Sequence, residues 1–272
     1  MRKKERLDKL LVEKGLVESR EKAQRLIMAG YVFVYGQKVD KAGVKIPVDA
    51  EISIKEKEKY VSRGGYKLEK GIKYFSFNVK DKVCIDIGSS TGGFTDCLLQ
   101  NGARKVYAVD VGTHQLHEKL RTDPRVIVME KTNARYLTGK DFPEKIECFV
   151  SDLSFISILK VLPEICDLFK DFAEGVILIK PQFELSRKEV KAGIVKDPVL
   201  HEKALKKVVK GLEESCYCVK GITYSPIKGP KGNIEFLCYL FKKPDDFRCK
   251  EKIDQDYIKK IVLEAHKVLE KD

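Results

Sequence analysis

The stretch DIGSSTGGFTD, residues 86–96, decides the fold of this chain. Apolar residues precede it as a continuous run and recur after it at helical spacing: Val83, Cys84 and Ile85, then Phe94, Leu98 and Leu99. This pattern predicts a buried parallel strand, a glycine-rich turn and a helix. Gly88, Gly92 and Gly93 let the backbone turn tightly and let a ligand come close.

The glycine spacing separates this turn from two common phosphate-binding loops. Gly88-x-x-x-Gly92-Gly93 is not G-x-G-x-x-G, and no Gly-Lys-Ser/Thr follows. A carboxylate at Asp86 would repel a pyrophosphate, so the turn suits an amino-acid-bearing nucleoside better. The next predicted strand, residues 106–110, ends in Asp110, an acid that could accept both hydroxyls of a ribose. The alternative is an ordinary α/β turn with an incidental acid.

Length and composition limit the classes of protein. The 272 residues give room for one α/β domain and one small companion. No run approaches the roughly 18 apolar residues of a membrane span, and the N-terminus MRKKERLDKL lacks the apolar stretch of a signal peptide. The eight cysteines include no C-x-x-C pair, so we expect reduced, packed thiols in a cytosolic protein and no metal site.

The positive charge is concentrated in the first third of the chain. Residues 1–80 carry 20 Lys and Arg against 11 Asp and Glu, whereas residues 81–272 carry 33 against 30. This asymmetry predicts a polyanionic partner that docks on the N-terminal part. The alternative is a basic surface that serves solubility.

The first 55 residues predict two short helices followed by a small hairpin sheet. Three leucines recur at helical spacing, Ser19 is a candidate N-cap for the second helix, and residues 31–39 are typical of a hairpin. The stretch SREKAQRLIMAGYVFVYGQKV, residues 19–39, resembles the S4 RNA-binding domain. On that resemblance, Arg20 and Arg25 would contact phosphates without reading base sequence. The alternative is a helical cap that protects the larger domain.

The remainder of the chain predicts a doubly wound sheet with helices on both faces. Strands are expected near residues 83–87, 106–110, 126–129, 148–152, 176–179, 217–223 and 235–241. Helices are expected near residues 67–75, 92–101, 158–169, 201–214 and 253–269. Residues 185–198 form a long mixed loop, which is a candidate lid.

Ionisable residues end several of these strands, and ligands bind at the carboxyl ends of strands in a doubly wound sheet. Asp86, Asp110 and Asp152 end three of them, and Lys180 follows the apolar run VILI. Burial disfavours the charged form of a lysine and so tunes it toward a general base, which Asp152 and Glu235 could orient. The alternative for Lys180 is a side chain that snorkels to solvent.

Six motifs occur in order: SRGGYKL, DIGSSTGGFTD, VYAVDVG, SDLSFIS, LIKPQFE and GNIEF. With the S4-like segment they resemble the TlyA (hemolysin A) family of ribosomal RNA 2′-O-methyltransferases, whose catalytic domain is of the FtsJ type. The resemblance implies a Rossmann-like, S-adenosylmethionine-dependent methyltransferase domain at residues 60–272, behind an S4 domain and linker at residues 1–59. It implies a cytoplasmic enzyme that methylates the 2′-hydroxyl of cytidine in 16S or 23S rRNA, or in both. Its partners would be ribosomal subunits, with no role for DNA or a membrane.

The resemblance also assigns residues to roles. The family's Lys-Asp-Lys-Glu tetrad falls on Lys67, Asp152, Lys180 and Glu235. In our hypothesis Lys180 takes the proton of the ribose hydroxyl and Lys67 helps to hold the nucleotide. The expected cofactor-binding residues are Asp86, Gly88, Ser89, Ser90, Thr91, Gly92, Gly93, Phe94, Asp110, Val111, Asn133, Ala134 and Asp152. The expected RNA-binding residues are Arg6, Arg20, Lys22, Arg25, Lys38 and Arg63.

Three other functions remain as alternatives at the level of sequence. The first is a non-catalytic rRNA- or ribosome-binding protein, although the complete tetrad favours an enzyme. The second is a pore-forming hemolysin, for which the sequence shows no spanning segment. The third is a methyltransferase that acts on tRNA or protein.

Overall fold

The computed structural model describes residues 3–55, 58–249 and 253–270. It divides into two compact units, Met1–Lys59 and Tyr60–Asp272, and each has its own apolar core. The two units are described separately below.

The first unit combines two helices with short antiparallel strands. Ser19 caps the second helix, because its hydroxyl oxygen accepts a hydrogen bond from the backbone N–H of Lys22. Three strands form a sheet in the order β3-β2-β5, and β1 pairs with β4. The elements are β1 (Lys4–Arg6), α1 (Leu7–Glu13), α2 (Arg20–Met28), β2 (Val32–Val34), β3 (Gln37–Lys38), β4 (Lys45–Pro47) and β5 (Ile52–Ile54).

The second unit is built on one seven-stranded sheet in the order β11-β12-β10-β9-β6-β7-β8. The pairs from β10 to β8 are parallel, and β12 and β11 add antiparallel strands at one side. The strands are β6 (Val83–Ile87), β7 (Lys105–Val109), β8 (Val126–Met129), β9 (Ile146–Ser151), β10 (Phe169–Ile179), β11 (Tyr217–Tyr224) and β12 (Phe236–Lys242). The helices are α3 (Gly64–Phe75), α4 (Gly93–Gln100), α5 (Glu118–Arg121), α6 (Pro181–Glu184), α7 (Pro198–Glu214) and α8 (Gln255–Leu269).

This sheet explains why its central strands read as continuous apolar runs. All five residues of β6 are buried, because helices and turns cover both faces of a parallel sheet. Two apolar layers result, one around Ile85 and Phe149 and the other around Cys84 and Leu98. The direction of chain growth reverses between β6 and β9, and this switch point is where doubly wound sheets bind ligands.

The helix predicted at residues 158–169 is wrong. The structure has two 3₁₀ segments there, Ile158–Lys160 and Leu162–Leu168, and strand β10 begins at Phe169. The buried positions of these segments recur at three and four, a spacing that both kinds of helix satisfy. Phe169 and Ala173 are buried in the sheet, so packing lengthens the strand predicted at 176–179.

The expectation that all cysteines are reduced is also wrong. Disulfide bonds join Cys166 to Cys216 and Cys218 to Cys249. The sequence separations of 50 and 31 residues hide these pairs, which the fold brings to Cα–Cα distances of 6.3 and 5.7 Å. Cys84, Cys97, Cys148 and Cys238 are buried and take part in neither disulfide bond. Among the helices that the structure describes, none has the length and apolar character needed to cross a bilayer.

Candidate active site

Four side chains from distant parts of the second unit meet at the carboxyl ends of β9 and β10. The Nζ of Lys180 lies 2.6 Å from Asp152 Oδ1, and the Nζ of Lys67 lies 2.6 Å from Glu235 Oε2. A longer contact of 3.8 Å joins Lys67 Nζ to Asp152 Oδ2 and connects the two pairs. The structure therefore brings together all four members of the predicted tetrad, with two ammonium groups matched by two carboxylates. We name this cluster the tetrad.

The tetrad is nearly closed to solvent. Lys67 and Lys180 are each 7% exposed and Glu235 is fully buried. Burial raises the pKa of the Glu235 carboxyl, while the charges of Lys67 and Lys180 act in the opposite direction. Its second oxygen, Oε1, has no hydrogen-bond partner among the described residues. An ion pair in such surroundings holds its geometry strictly, because breaking it would leave a buried charge uncompensated.

The glycine-rich turn after β6 forms one wall of a cavity of about 470 Å³. The first turn residue, Gly88, takes a φ of 83°, and a Cβ there would lie 3.2 Å from the backbone oxygen of Asp152. Asp110 also lines this cavity and adjoins the turn, since its two oxygens accept backbone N–H bonds from Ser90 and Gly112. Of the predicted cofactor residues, this cavity is lined by Gly88, Ser90, Asp110, Val111, Asn133, Ala134 and Asp152.

A second, smaller cavity adjoins the first. Both are lined by Gly88, Ser90, Asp152 and Ser154, so these residues stand at the boundary. The second cavity also reaches Lys67 and Lys180, together with the predicted residues Ser89, Thr91, Gly93 and Phe94. A ligand in the first cavity would therefore lie directly beside a substrate group presented to the lysines.

Two predicted cofactor residues line neither cavity. Asp86 is fully buried behind the turn, where its Oδ2 accepts a hydrogen bond of 2.7 Å from Thr95 Oγ1. Burial raises the pKa of this carboxyl to about 7. Gly92 takes a φ of 97°, and a Cβ there would lie 2.2 Å from a methyl carbon of Leu120. Both residues support the turn on the side away from the cavities, so neither lies at a cavity wall.

The predicted RNA-binding residues of the first unit differ in their partners and exposure. Arg6 and Arg20 both hold the fully buried carboxylate of Asp8, each at 3.0 Å, and their side chains remain 43% and 52% exposed. We name these three residues the Asp8 cluster. Lys22 pairs with Glu18, whereas Arg25 and Lys38 are exposed. In the second unit, Arg63 donates a hydrogen bond to the backbone oxygen of Lys228.

Sequence reasoning missed two side chains that contact this site. Ser154 accepts a hydrogen bond of 2.8 Å from Lys180 Nζ, and Glu184 binds the chain just beyond Ser154 through Ser157 and Ile158. Both residues lie within the quoted motifs SDLSFIS and LIKPQFE. Their presence in motifs that already carry tetrad residues is the signal that could have found them.

The fold and the paired lysines and carboxylates agree with the expected class, a methyltransferase domain that follows an S4-like domain in the sequence. The family profile described as "FtsJ-like methyltransferase" matches residues 60–242, and the profile described as "S4 domain" matches residues 5–52. The chain therefore belongs to the FtsJ-like methyltransferase family, and within it to the TlyA group that carries an S4 domain.

Individual relatives agree with this assignment. Protein YqxC of Bacillus subtilis is 50% identical over 270 residues, which cover 98% of this chain and 96% of YqxC. The 16S/23S rRNA (cytidine-2′-O)-methyltransferase TlyA of Mycobacterium tuberculosis is 38% identical and covers 90% of this chain and 92% of its own length. A solved structure from Streptococcus thermophilus is 45% identical, covers 100% of this chain and 98% of that chain, and superposes with a TM-score of 0.76.

Proposed function

We propose that this chain transfers a methyl group from S-adenosylmethionine to the 2′-hydroxyl of a cytidine in ribosomal RNA. The observation that carries the proposal is the convergence of Lys67, Asp152, Lys180 and Glu235 beside a nucleoside-sized cavity. The family assignment supports the methyl transfer, and the printed name of the Mycobacterium tuberculosis relative supports cytidine in rRNA as the acceptor. Such an enzyme would work in the cytoplasm, where ribosomal subunits are assembled.

The residues of the first cavity fit S-adenosylmethionine. Its volume of about 470 Å³ lies within the roughly 300–1,000 Å³ of small-molecule sites. Asp110 is an acceptor for ribose hydroxyls, with lone pairs beyond the two that bind backbone N–H groups. Asn133 uses its carbonyl oxygen to cap residues 134–136, so its amide N–H₂ is the group that can reach an adenine edge.

The chemistry divides between the cofactor and the side chains of this chain. When bound, S-adenosylmethionine supplies an electrophilic methyl group, which passes to the ribose oxygen as its carbon–sulfur bond breaks. Lys180 releases one proton to solvent and then takes the proton of the 2′-hydroxyl at Nζ. Asp152 fixes the direction of Lys180, and Glu235 holds Lys67 where its charge stabilises the forming alkoxide. Closure of the site around these groups positions the reacting atoms and excludes water.

A labelled-methyl transfer assay tests the proposal. The intact chain is incubated with methyl-labelled S-adenosylmethionine and either ribosomal subunits or naked 16S and 23S rRNA, and the labelled nucleosides are identified after digestion. We expect label in 2′-O-methylcytidine, and we expect Lys180→Ala to abolish transfer while calorimetry still detects cofactor binding. Absence of label from rRNA would refute the substrate, and near-normal turnover by the Ala variant would refute the base assignment. Binding of rRNA without any transfer would instead support the non-catalytic alternative.

A further inference from the structure

Two segments of the second unit run side by side next to Lys180. One follows β9 and contains Asp152, Ser154, Phe155 and Ser157, and the other is residues 180–184 after β10. Three contacts join them: Lys180 Nζ donates to Ser154 Oγ at 2.8 Å, the rings of Phe183 and Phe155 lie 5.3 Å apart, and Glu184 accepts from Ser157 Oγ at 2.5 Å. We name this arrangement the clamp.

The clamp is anchored at its far end by a buried carboxyl. Glu184 is 3% exposed, and its second oxygen accepts a bond of 2.9 Å from the backbone N–H of Ile158. Burial raises the pKa of this carboxyl, while its bonds to Ser157 and Ile158 act in the opposite direction. Burying a carboxyl is costly unless it is hydrogen-bonded, and here the bonds to Ser157 and Ile158 offset that cost while they tie Glu184 to the segment after β9. The backbone oxygen of Glu184 also accepts a bond from Lys207 and so fastens the clamp to α7.

The conformation that the clamp fixes is strained. Phe155 takes a φ of 67°, in the left-handed region that bulky residues avoid. Backbone strain of this kind costs of the order of 1–3 kcal/mol and persists where surrounding contacts over-determine it. Here the contacts of Ser154 on one side and Ser157 on the other hold Phe155 in place. The strain therefore accompanies a defined position of the Ser154 hydroxyl.

The position of the Ser154 hydroxyl matters because it affects the directions in which the Lys180 amine donates its hydrogen bonds. An ammonium group has three N–H donors. Lys180 donates one of them to Ser154 Oγ at 2.8 Å, and its Nζ lies 2.6 Å from Asp152 Oδ1 as an ion pair. Once Lys180 has lost a proton, two N–H groups remain, and Ser154 Oγ and Asp152 Oδ1 are both close enough to accept them. With both N–H groups so used, the lone pair takes the remaining direction, and Lys180 lines the adjoining cavity that admits a substrate.

We propose that Ser154 is a positioning residue for Lys180: with Asp152 it fixes the two N–H directions and thereby aims the lone pair at the ribose hydroxyl. This inference rests on the proposed function and deepens it, because it assigns a further residue to the same site. Asp152 alone would leave the amine free to rotate about its Cε–Nζ bond, and the second acceptor removes that freedom. Glu184 acts one step further away, by holding the segment that carries Ser154.

Kinetics of four variants test the proposal. Ser154→Ala should lower kcat for rRNA methylation about 10- to 100-fold, with the KM values for RNA and cofactor within about 2-fold of wild type. Ser154→Thr, which keeps the hydroxyl, should restore most of kcat. Glu184→Ala should resemble Ser154→Ala, and Glu184→Gln, which keeps an oxygen acceptor, should lose less. Ser53→Ala removes a hydroxyl from an exposed strand position of the first unit and serves as the matched control.

The pH profile separates positioning from a structural role. The serine oxygen binds the ammonium form more strongly than the neutral amine, so Ser154→Ala should move the rising limb of kcat toward lower pH. A loss of kcat with an unmoved limb and no rescue by threonine would overturn the proposal, as would Ser154→Ala turnover within about 2-fold of wild type.

A readout without RNA or cofactor distinguishes this inference from the proposed function. The Nζ–H signals of Lys180, identified by ¹⁵N NMR through their loss in Lys180→Ala, should exchange slowly in wild type and faster in Ser154→Ala. Unchanged exchange would overturn the positioning role even in an active enzyme. Failure of the wild type to methylate rRNA, with altered exchange in Ser154→Ala, would refute the substrate assignment and support the contact between Ser154 and Lys180.

Discussion

The two units of this chain use clustered charges in opposite ways. In the Asp8 cluster, one buried carboxylate is shared by Arg6 and Arg20, whose side chains remain about half exposed. In the tetrad, two lysines and two carboxylates balance one another, and three of the four residues are buried. The Asp8 cluster thus presents a net positive charge outward, whereas the tetrad keeps its charges within the domain.

The type of cationic side chain, arginine in the Asp8 cluster and lysine in the tetrad, explains why the two clusters differ. A guanidinium keeps its proton at every physiological pH and presents a fixed fork of donors, so it suits the binding of a polyanion. An ammonium can lose its proton when it is buried or placed beside other cations, so it suits proton transfer. On the proposed function, the arginines of the Asp8 cluster suit the holding of RNA, and the lysines of the tetrad suit proton transfer.

Lys180→Arg tests this distinction and should have the largest effect. The guanidinium keeps the positive charge but cannot act as a base, and its planar fork does not match the direction of the lysine N–H groups. We expect kcat to fall about 10³-fold or more, while calorimetry shows cofactor affinity within about 3-fold of wild type. Retention of a tenth of the wild-type kcat would mean that Lys180 supplies charge and not a proton acceptor.

Asp8→Asn tests the other cluster. The carboxylate of Asp8 accepts bonds from Arg6, Arg20 and Gln24, and the Arg6 guanidinium holds the pKa of the Asp8 carboxyl well below its usual range. A lowered pKa adds stability above the ordinary value near 4, and this stability is lost as the pH falls below it. We expect the amide exchange of α1 in the full chain to accelerate in Asp8→Asn at pH 7.

The effect of Asp8→Asn should shrink toward pH 3. Near pH 3 the unfolded wild-type chain binds a proton at Asp8 that the folded chain still lacks, so part of the stability from the lowered pKa is lost. Equal exchange rates for wild type and variant at pH 7 would show that the Asp8 cluster contributes nothing to the stability of the first unit. Cofactor binding by the second unit serves as the control, and it should not change.

Asp86→Asn should change the stability in the opposite direction to Asp8→Asn. Asp86 is as buried as Asp8, but it has Thr95 in place of two guanidinium groups, so burial raises its pKa to about 7. A raised carboxyl pKa means that stability is present at low pH and is lost as the pH rises from about 4 to about 7. In urea unfolding we expect Asp86→Asn to be more stable than wild type by about 2 kcal/mol at pH 8.

That advantage of Asp86→Asn should shrink as the pH falls below about 7 and disappear near pH 4, where the wild-type carboxyl is neutral in the unfolded state as well as in the folded state. A variant less stable than wild type at pH 8 would show that the Asp86 charge has a stabilising partner. Thr95→Val is the matched variant, since it removes the hydroxyl that bonds Asp86 Oδ2 and should destabilise the protein more at pH 8 than at pH 5.

How much of this could be predicted from the sequence depends on how local each signal is. The glycine-rich turn, the apolar strands and the Ser19 cap are set by neighbouring residues, and the structure has them at or near the predicted positions. The resemblance to a family, and not periodicity, indicated that Lys67 and Glu235 meet across 168 residues. No pattern in the sequence predicted that meeting.

The predictions that were wrong concern features that neighbouring residues do not determine. Residues 158–169 carry an apolar spacing that α-helix and 3₁₀-helix share, and packing against the sheet decides between them. The disulfide partners of Cys216 and Cys218 lie 50 and 31 residues away, so only the folded topology identifies them. The contact of Asp86 with Thr95 was likewise not anticipated, because strand alternation directs the Asp86 side chain toward Thr95 behind the turn; its predicted role at the cofactor stays a prediction.

The smallest expected effect distinguishes two arginines on the same helix. Arg20 holds Asp8, whereas Arg25 is exposed and lies one turn further along α2. Replacing Arg25 by Ala should weaken rRNA binding a few-fold. The plot of log affinity against log salt should become shallower by about 0.7–0.9 in slope, because one phosphate contact is lost. The thermal unfolding midpoint should not change. Arg20→Ala should cause the same loss of slope and also lower that midpoint, since one ion pair to Asp8 is broken.

Lys41→Ala, which removes an exposed cation of the same unit outside α2, is the control. If Lys41→Ala lowers the slope as much as Arg25→Ala does, the RNA contact is spread over the whole unit and α2 has no special role. If Arg25→Ala leaves the slope unchanged while Arg20→Ala lowers it, then the arginines that anchor Asp8 are also the ones that hold the RNA.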